Sequence, residues 1–293
     1  MVGQIPEKLC GRPLSAADVE TIQREIRLAD PPIRSEIARR VCRALQWTNA
    51  LGEAKLMSAR VGLLRLHRAG IIELPAPTGG NGNGRPLKLA PKQWPAEQSL
   101  GGSAGALSGL RLSPVSDKDA SRLWNGLIDR YHYLGYTPLP GARLRYLIES
   151  DQGLLGALGF GAAAWKVAPR DQWIGWDRAG REAHLGRVVN NARFLLLPWI
   201  QVRNLASKVL ALSARQVPED FATRYGERPV LLETFVEIPR FAGTCYRAAN
   251  WRYLGETQGR GKCDVAHRAA LPRKAVYVYP LAADFRRALG VAA

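Results

Sequence analysis

Spacings that would hold a metal or a disulfide framework are missing from this chain. Its four cysteines, Cys10, Cys42, Cys245 and Cys263, stand far apart with no CxxC pair, and its four histidines are as scattered. That pattern predicts neither a structural zinc site nor a stapled fold, and it suits a reducing, cytoplasmic setting. No run approaches the roughly 18 apolar residues of a membrane span, and the opening MVGQIPEKLCGRPLS has no apolar signal-peptide core. Acidic residues are scarce too: 25 Asp+Glu face 42 Lys+Arg across 293 residues, a net charge of +17. An excess of that size points to a polyanionic partner, DNA first, against the alternative of a basic solvated surface. Most of the cations are arginine, whose planar fork matches phosphate oxygens and guanine edges.

What is present divides the chain at a glycine-rich stretch. In front, over residues 1–95, Ser15 with Asp18 three positions on opens a helix through AADVETIQREIRLA, which Asp30-Pro31-Pro32 stops. The spacing of Ile33, Ile37, Ala38, Val41 and Leu45 predicts a second amphipathic helix, and AKLMSARVGLLRLHRA a third, ended by Gly70. IIELPAP and LKLAP around the tip TGGNGNGRP then read as two short strands of a hairpin. Three helices and a hairpin describe an N-terminal winged helix-turn-helix, with the third helix in the major groove and the hairpin as its wing. On that reading Lys55, Ser58, Arg60, Arg65 and Arg68, with Arg85 on the wing, contact DNA; a solvated helix face is the competing account. Residues 96–112, including QSLGGSAGALSG, have too little to pack and read as a linker.

Residues 113–293 show an order of helix, β-hairpin, strand, helix, strand, helix, strand. Such an order predicts an α+β or α/β domain, a mixed β-sheet with packed helices. It is similar in order to the GNAT acyltransferase fold, which grips acetyl-CoA pyrophosphate at the start of the helix after its central strand. The matching segment here is VRNLASKVL, where Ala206 and Lys208 occupy positions that such a grip keeps small and glycine-like. Acyl transfer is therefore read as degenerate.

RDQWIGW (Arg170–Trp176), VVNNARFLLLPW (Val188–Trp199), NLAS, ETFV (Glu233–Val236) and GTCYRAANWRYLGETQGRGK (Gly243–Lys262) are long, Trp-, Asn- and Gly-rich motifs. With SEIARRVCRALQW and LLRLHRAGIIELP in front, the chain resembles the Druantia anti-phage protein A family over nearly its whole length. Relatives also occur with mobile elements and transposases. The resemblance implies phage defence or mobile-DNA biology, with DNA and other defence-system or transposition proteins as partners. It supplies no catalytic mechanism.

Candidate site residues follow from chemistry. Glu233 sits in LLETFVEI, an apolar strand, where a carboxylate must either meet an arginine or work with a raised pKa. Arg187 and Arg240 are its expected partners. Tyr246 and Asn250, four apart on an expected helix ended by Gly255, share a face beside Trp251. That tyrosine is a strand-transfer nucleophile or a packing residue. Asn191 and its neighbour Asn190 serve bases, phosphates or a turn, with Arg193 beside them. Trp173 and Trp176 stack on extruded bases or anchor the core. Arg247 and the loop residues Thr257, Arg260 and Lys262 suit phosphates. No cofactor is implied; a nuclease would use Mg²⁺, for which Asp171, Asp177 and Glu233 are candidate ligands by residue type alone, with no support from their spacing.

Overall fold

The computed structural model describes residues 5–77, 91, 93–259 and 271–291. The chain forms two compact units, Met1–Pro86 and Leu87–Ala293. No helix among the described residues is long and apolar enough to cross a membrane.

The first unit opens with a two-stranded antiparallel hairpin, β1 (Lys8–Leu9) and β2 (Arg12–Pro13). Cys10 and Gly11 both take positive φ, as a two-residue turn of this hand requires. Helix α1 (Ala16–Arg27) starts at a complete capping box, Ser15 accepting from the Asp18 N–H and Asp18 from that of Ser15. Helices α2 (Arg34–Ala44) and α3 (Leu56–Arg68) follow. Ile22, Ile37, Val41, Leu63 and Leu66 fill the space between them. Gly62 lets α3 approach β1, because a Cβ there would lie 2.9 Å from Leu9 Cγ. The stretch expected as the first wing strand forms no strand over residues 71–77. Its Ile71, Ile72 and Leu74 are buried in the helical core instead, and Arg34 donates to the Pro75 carbonyl at 2.7 Å. Wing residue Arg85 and the second arm lie outside the described residues.

The second unit contains β3 (Leu100–Ser103), β4 (Arg111–Pro114), α4 (Lys118–Tyr131), β5 (Leu144–Ser150) and β6 (Gly153–Ala162). Next come α5 (Ala168–Ile174), α6 (Arg178–His184), β7 (Val188–Leu196), β8 (Ile200–Arg203) and α7 (Leu205–Tyr225). The unit ends with β9 (Leu231–Glu237), α8 (Thr244–Ala248), β10 (Arg252–Glu256), β11 (Lys274–Pro280) and α9 (Phe285–Ala288). Seven strands make one mixed sheet in the order β10-β11-β9-β7-β6-β5-β4. Every pairing in it is antiparallel except β7 with β9, which α7 connects as a crossover. Trp124 of α4 would meet a Cβ on Gly159, whereas Tyr146, in register with Leu158, hydrogen-bonds Asp220 of α7. Adjacent strand residues point oppositely, so α4 and α7 cover opposite faces.

Two expectations fail here. Residues 96–112 are not a free linker: β3 pairs in parallel with β8, Ala104 is buried, and β4 edges the main sheet. Main-chain hydrogen bonds suffice for such pairing, so small side chains do not forbid it. The expected helix from Gly243 to Gly255 stops at Ala248. Asn250 takes φ 62°, in the left-handed region it tolerates, and the chain continues as β10 against β11.

Candidate functional site

β7 and β9 run parallel and pair only from Val188–Leu231 to Asn191–Thr234. Beyond that point β7 stays with β6 as far as Leu196, and β9 stays with β11 as far as Glu237. The two strands therefore separate, and a cleft of about 560 Å³ opens in the fork between them.

Its floor is a closed set of polar groups. Tyr246 donates its hydroxyl proton to Asn191 Oδ1 at 2.7 Å, and Thr234 donates to the Asn191 carbonyl at 3.0 Å. The Asn191 amide donates in turn to the Gly159 and Arg193 carbonyls, both at 3.2 Å. Burial pushes the Tyr246 phenol far above its usual range. Its proton is committed to Asn191 and burial disfavours its anion, so Tyr246 is held in the floor of the cleft. Phe194 meets its ring edge-on, and Tyr277 stacks on it with centroids 5.8 Å apart.

The rim has a different character. Tyr133 and Phe241 meet with ring centroids 5.0 Å apart, and the Arg240 guanidinium lies 4.8 Å from the Tyr133 ring centre. His132 stacks on Tyr133, and its Nδ1 accepts from the Leu134 N–H at 3.2 Å. Burial, then the charges of Arg193 and Arg240, push His132 down to about 4. It is thus neutral at pH 7, with its one proton on Nε2. Arg193 donates to Thr137 Oγ1 and the Ala192 carbonyl, while its buried Nε has no partner. Arg130 stacks on Trp94 at the other end of the cleft. Among the described residues no Asp or Glu lines it, and Glu97 accepts from the Tyr131 hydroxyl at 3.1 Å beside it.

Glu233 lies on the opposite face from Thr234 and outside this cleft. Its partner is Arg170, not Arg187 or Arg240: Arg170 Nη1 donates to Glu233 Oε2 at 2.7 Å, and the Ala164 N–H donates to Oε1 at 2.8 Å. Arg170 also donates twice to Asp171 Oδ1, and Arg181 donates to Asp171 Oδ2 at 3.4 Å. Burial, outweighing the Arg170 charge, holds the fully enclosed Glu233 carboxyl above its ordinary range. The arrangement is a buried ionic network linking α5, α6 and β9, with no face open to a substrate. Arg187 instead donates to the Ala288 carbonyl, and Arg240 stands at the cleft rim.

The other expected residues scatter. Trp173 stacks on Phe285 at 4.9 Å and Trp176 donates to the Leu289 carbonyl, so both half-buried rings hold the segment that carries α9. Asn250 is exposed at the turn after α8 and shares no helix face with Tyr246. Thr257 exchanges hydrogen bonds with Lys274 as an extension of the β10–β11 pair, which occupies it structurally. Arg247 is exposed and donates to the Ala242 carbonyl. Asp177 caps α6 by accepting from the Gly180 N–H, so it does not join Asp171 and Glu233 around a metal. Among the described residues no group of three or more His, Cys, Asp or Glu gathers to hold one. Arg260 and Lys262 lie outside the described residues. In the first unit, Lys55, Arg60, Arg65 and Arg68 are exposed along α3, and Ser58 is half-buried among them.

Sequence reasoning overlooked His132, Tyr133, Thr234 and Phe241. The aromatic density of RYHYLG was the one local signal. Nothing in the spacing says that it meets Phe241 across the fork.

The family described as Druantia protein DruA matches residues 66–271. Druantia protein DruA of Escherichia coli (strain UMEA 4076-1) is 33% identical over 125 residues, covering 40% of this chain and 31% of that protein. The chain therefore aligns with about a third of that relative's length. Among solved structures, a Bacillus subtilis acetyltransferase in complex with CoA gives a TM-score of 0.37 at 10% identity, over 59% of this chain and 99% of that one. Mycobacterium smegmatis RimJ in complex with CoA-disulfide gives 0.36 at 14% identity, over 59% and 86%. Scores of this size do not equate the folds.

Proposed function

Because the chain belongs to the Druantia protein DruA family, we propose that it is a DNA-binding component of bacterial anti-phage defence, working alongside other proteins of such a system. The observation that carries this reading is the exposed face of α3. Lys55, Arg60, Arg65 and Arg68 lie along it, and among the described residues none of them meets a carboxylate. Elsewhere in the same unit arginines are paired: Arg12 with Asp18, Arg39 with Glu36 and Arg40 with Glu25. Met57 and Val61 are exposed between the cations, at 68% and 44%. A groove-reading helix uses such side chains against sugars and thymine methyls.

On this reading α3 is the recognition helix of a helix-turn-helix. The second unit is read as a GNAT-like frame in which acyl transfer has lapsed. In the segment that would have to cradle pyrophosphate, Ala206 carries a Cβ and Lys208 is spent on the Ala104 carbonyl at 2.7 Å. The test is duplex binding by fluorescence anisotropy. Arg60→Ala and Arg65→Ala together should weaken it by at least tenfold, since each removes a charge-assisted phosphate contact of about 1.5–3 kcal/mol. Equal affinity in the double variant would remove the reading.

A further inference from the structure

The fork cleft in the second unit is absorbed by nothing above. We propose that it takes one unpaired nucleotide, its base against the Tyr133–Phe241 pair and its phosphate on Arg240. This inference goes beyond the α3 reading and stands or falls without it.

Four observations converge. The cleft, at about 560 Å³, is of the size that encloses small organic ligands, commonly about 300–1,000 Å³. Among the described residues its lining charges are Arg130 and Arg240; Glu97 lies 3.9 Å from Arg130, which leaves Arg240 as the cation open to an anion. Arg240 is exposed and has no carboxylate partner among the described residues; its guanidinium carbon lies 4.8 Å from the Tyr133 ring centre and 5.6 Å from that of Phe241. That pair is a ready surface for another planar group, since an aromatic face accepts any base and a guanidinium adds its charge. Phe241 is 44% exposed, so its ring is open to a ligand.

The remaining walls supply hydrogen bonds rather than charge. β7 beyond Asn191 and β9 beyond Thr234 have no strand partner on the fork side. Main-chain N–H and C=O groups of such open edges match the mixed donor and acceptor edge of a base. His132 offers one further donor, its Nε2–H, because Nδ1 is already accepting from Leu134. A peptide would use the open edges without needing the exposed aromatic pair, whose rings meet edge-on at 62°, and a simple anion would need the arginines alone. A base joined to a phosphate uses both.

The ligand has two sources, a free mononucleotide or an unpaired nucleotide within a strand. Full-length protein is titrated by calorimetry with each deoxynucleoside 5′-monophosphate and with coenzyme A. In parallel it is titrated with a duplex carrying one bulged 2-aminopurine and with its fully paired counterpart, followed by 2-aminopurine fluorescence. The expected result is binding of the monophosphates, of the bulge with fluorescence quenching, or of both, which tells the sources apart. Phe241→Ala and Arg240→Ala, both at exposed positions, should each weaken that binding by about fivefold or more, since stacking on one aromatic contributes about 1–3 kcal/mol per base. Neither should change affinity for the fully paired duplex, which tracks Arg60 and Arg65. The inference is overturned if neither source binds, if both variants bind as wild type does, or if coenzyme A alone binds. Loss of paired-duplex binding in wild type would count against the α3 reading only.

Discussion

Replacing Arg170 by methionine, of similar length, should cost the second unit about 3–5 kcal/mol, the range for breaking a buried ion pair from one side. The structure gives the reasons. Arg170 is fully enclosed and makes four hydrogen bonds: two to Asp171 Oδ1, at 2.9 and 2.6 Å, one to the Ala164 carbonyl at 2.9 Å and one to Glu233 Oε2 at 2.7 Å. Without it, Glu233 keeps only the Ala164 N–H, and Asp171 keeps the Val167 N–H and the distant Arg181. Glu233→Gln is milder, about 1–3 kcal/mol, because the amide retains shape and one acceptor but sets its NH₂ against Arg170. The double variant should cost less than the sum by about 0.5–3 kcal/mol, since both changes act on one contact.

The pH dependence adds a sign. A carboxyl whose folded pKa is raised keeps its proton in the folded state after the unfolded chain has released it. Its contribution is complete below the unfolded value and is lost as pH rises through the folded one. With Arg170 gone, burial acts on Glu233 unopposed, and Arg170→Met should lose stability more steeply on alkalinisation than wild type. Urea unfolding followed by tryptophan fluorescence reads this unit, because Trp47 alone of the eight tryptophans lies in the other. A cost under about 1 kcal/mol, or strictly additive effects, would refute the view of the network as a structural clamp.

Two further outcomes are expected of the same unit. His132, held to about 4 against an ordinary 6.5, stays neutral in the folded state while the unfolded chain takes up a proton. Its contribution is complete above pH 6.5 and falls by up to about 3 kcal/mol by pH 4, a loss that His132→Gln should remove from the stability–pH curve. Gly156→Ala would set a Cβ 2.1 Å from the Leu195 carbonyl oxygen, a backbone atom that cannot swing aside. It should destabilise by about 3 kcal/mol in thermal denaturation, whereas Gly101→Ala, with nothing within 4 Å, should stay within about 0.5 kcal/mol.

Legibility followed the range of the interactions. The capping box at Ser15 and Asp18, the long α7 and the LLETFV strand are local patterns, and each stands where its pattern lies. Residues 96–112 misled because β3 finds its partner a hundred residues away in β8, and composition carries no trace of such a pairing. Asn250 misled because left-handed backbone at one residue ends a helix that its side-chain spacing would continue. Glu233 was recognisable as a carboxylate in need of an arginine. Which arginine depended on α5, between β6 and β7, bringing Arg170 to Glu233, 63 positions away in sequence. The fork itself lies beyond pattern reading, since it exists only where a parallel register stops.

The proposed DNA binding is tested most directly by the salt dependence of duplex affinity, measured by anisotropy from about 50 to 200 mM salt. Counterion release predicts a linear fall of log K with log salt, at about 0.9 per phosphate neutralised. The slope should flatten by about two when Arg60 and Arg65 are both alanine, if each engages one phosphate. An affinity indifferent to salt, or a slope unchanged in that double variant, would contradict the assignment of α3 as the DNA-binding helix.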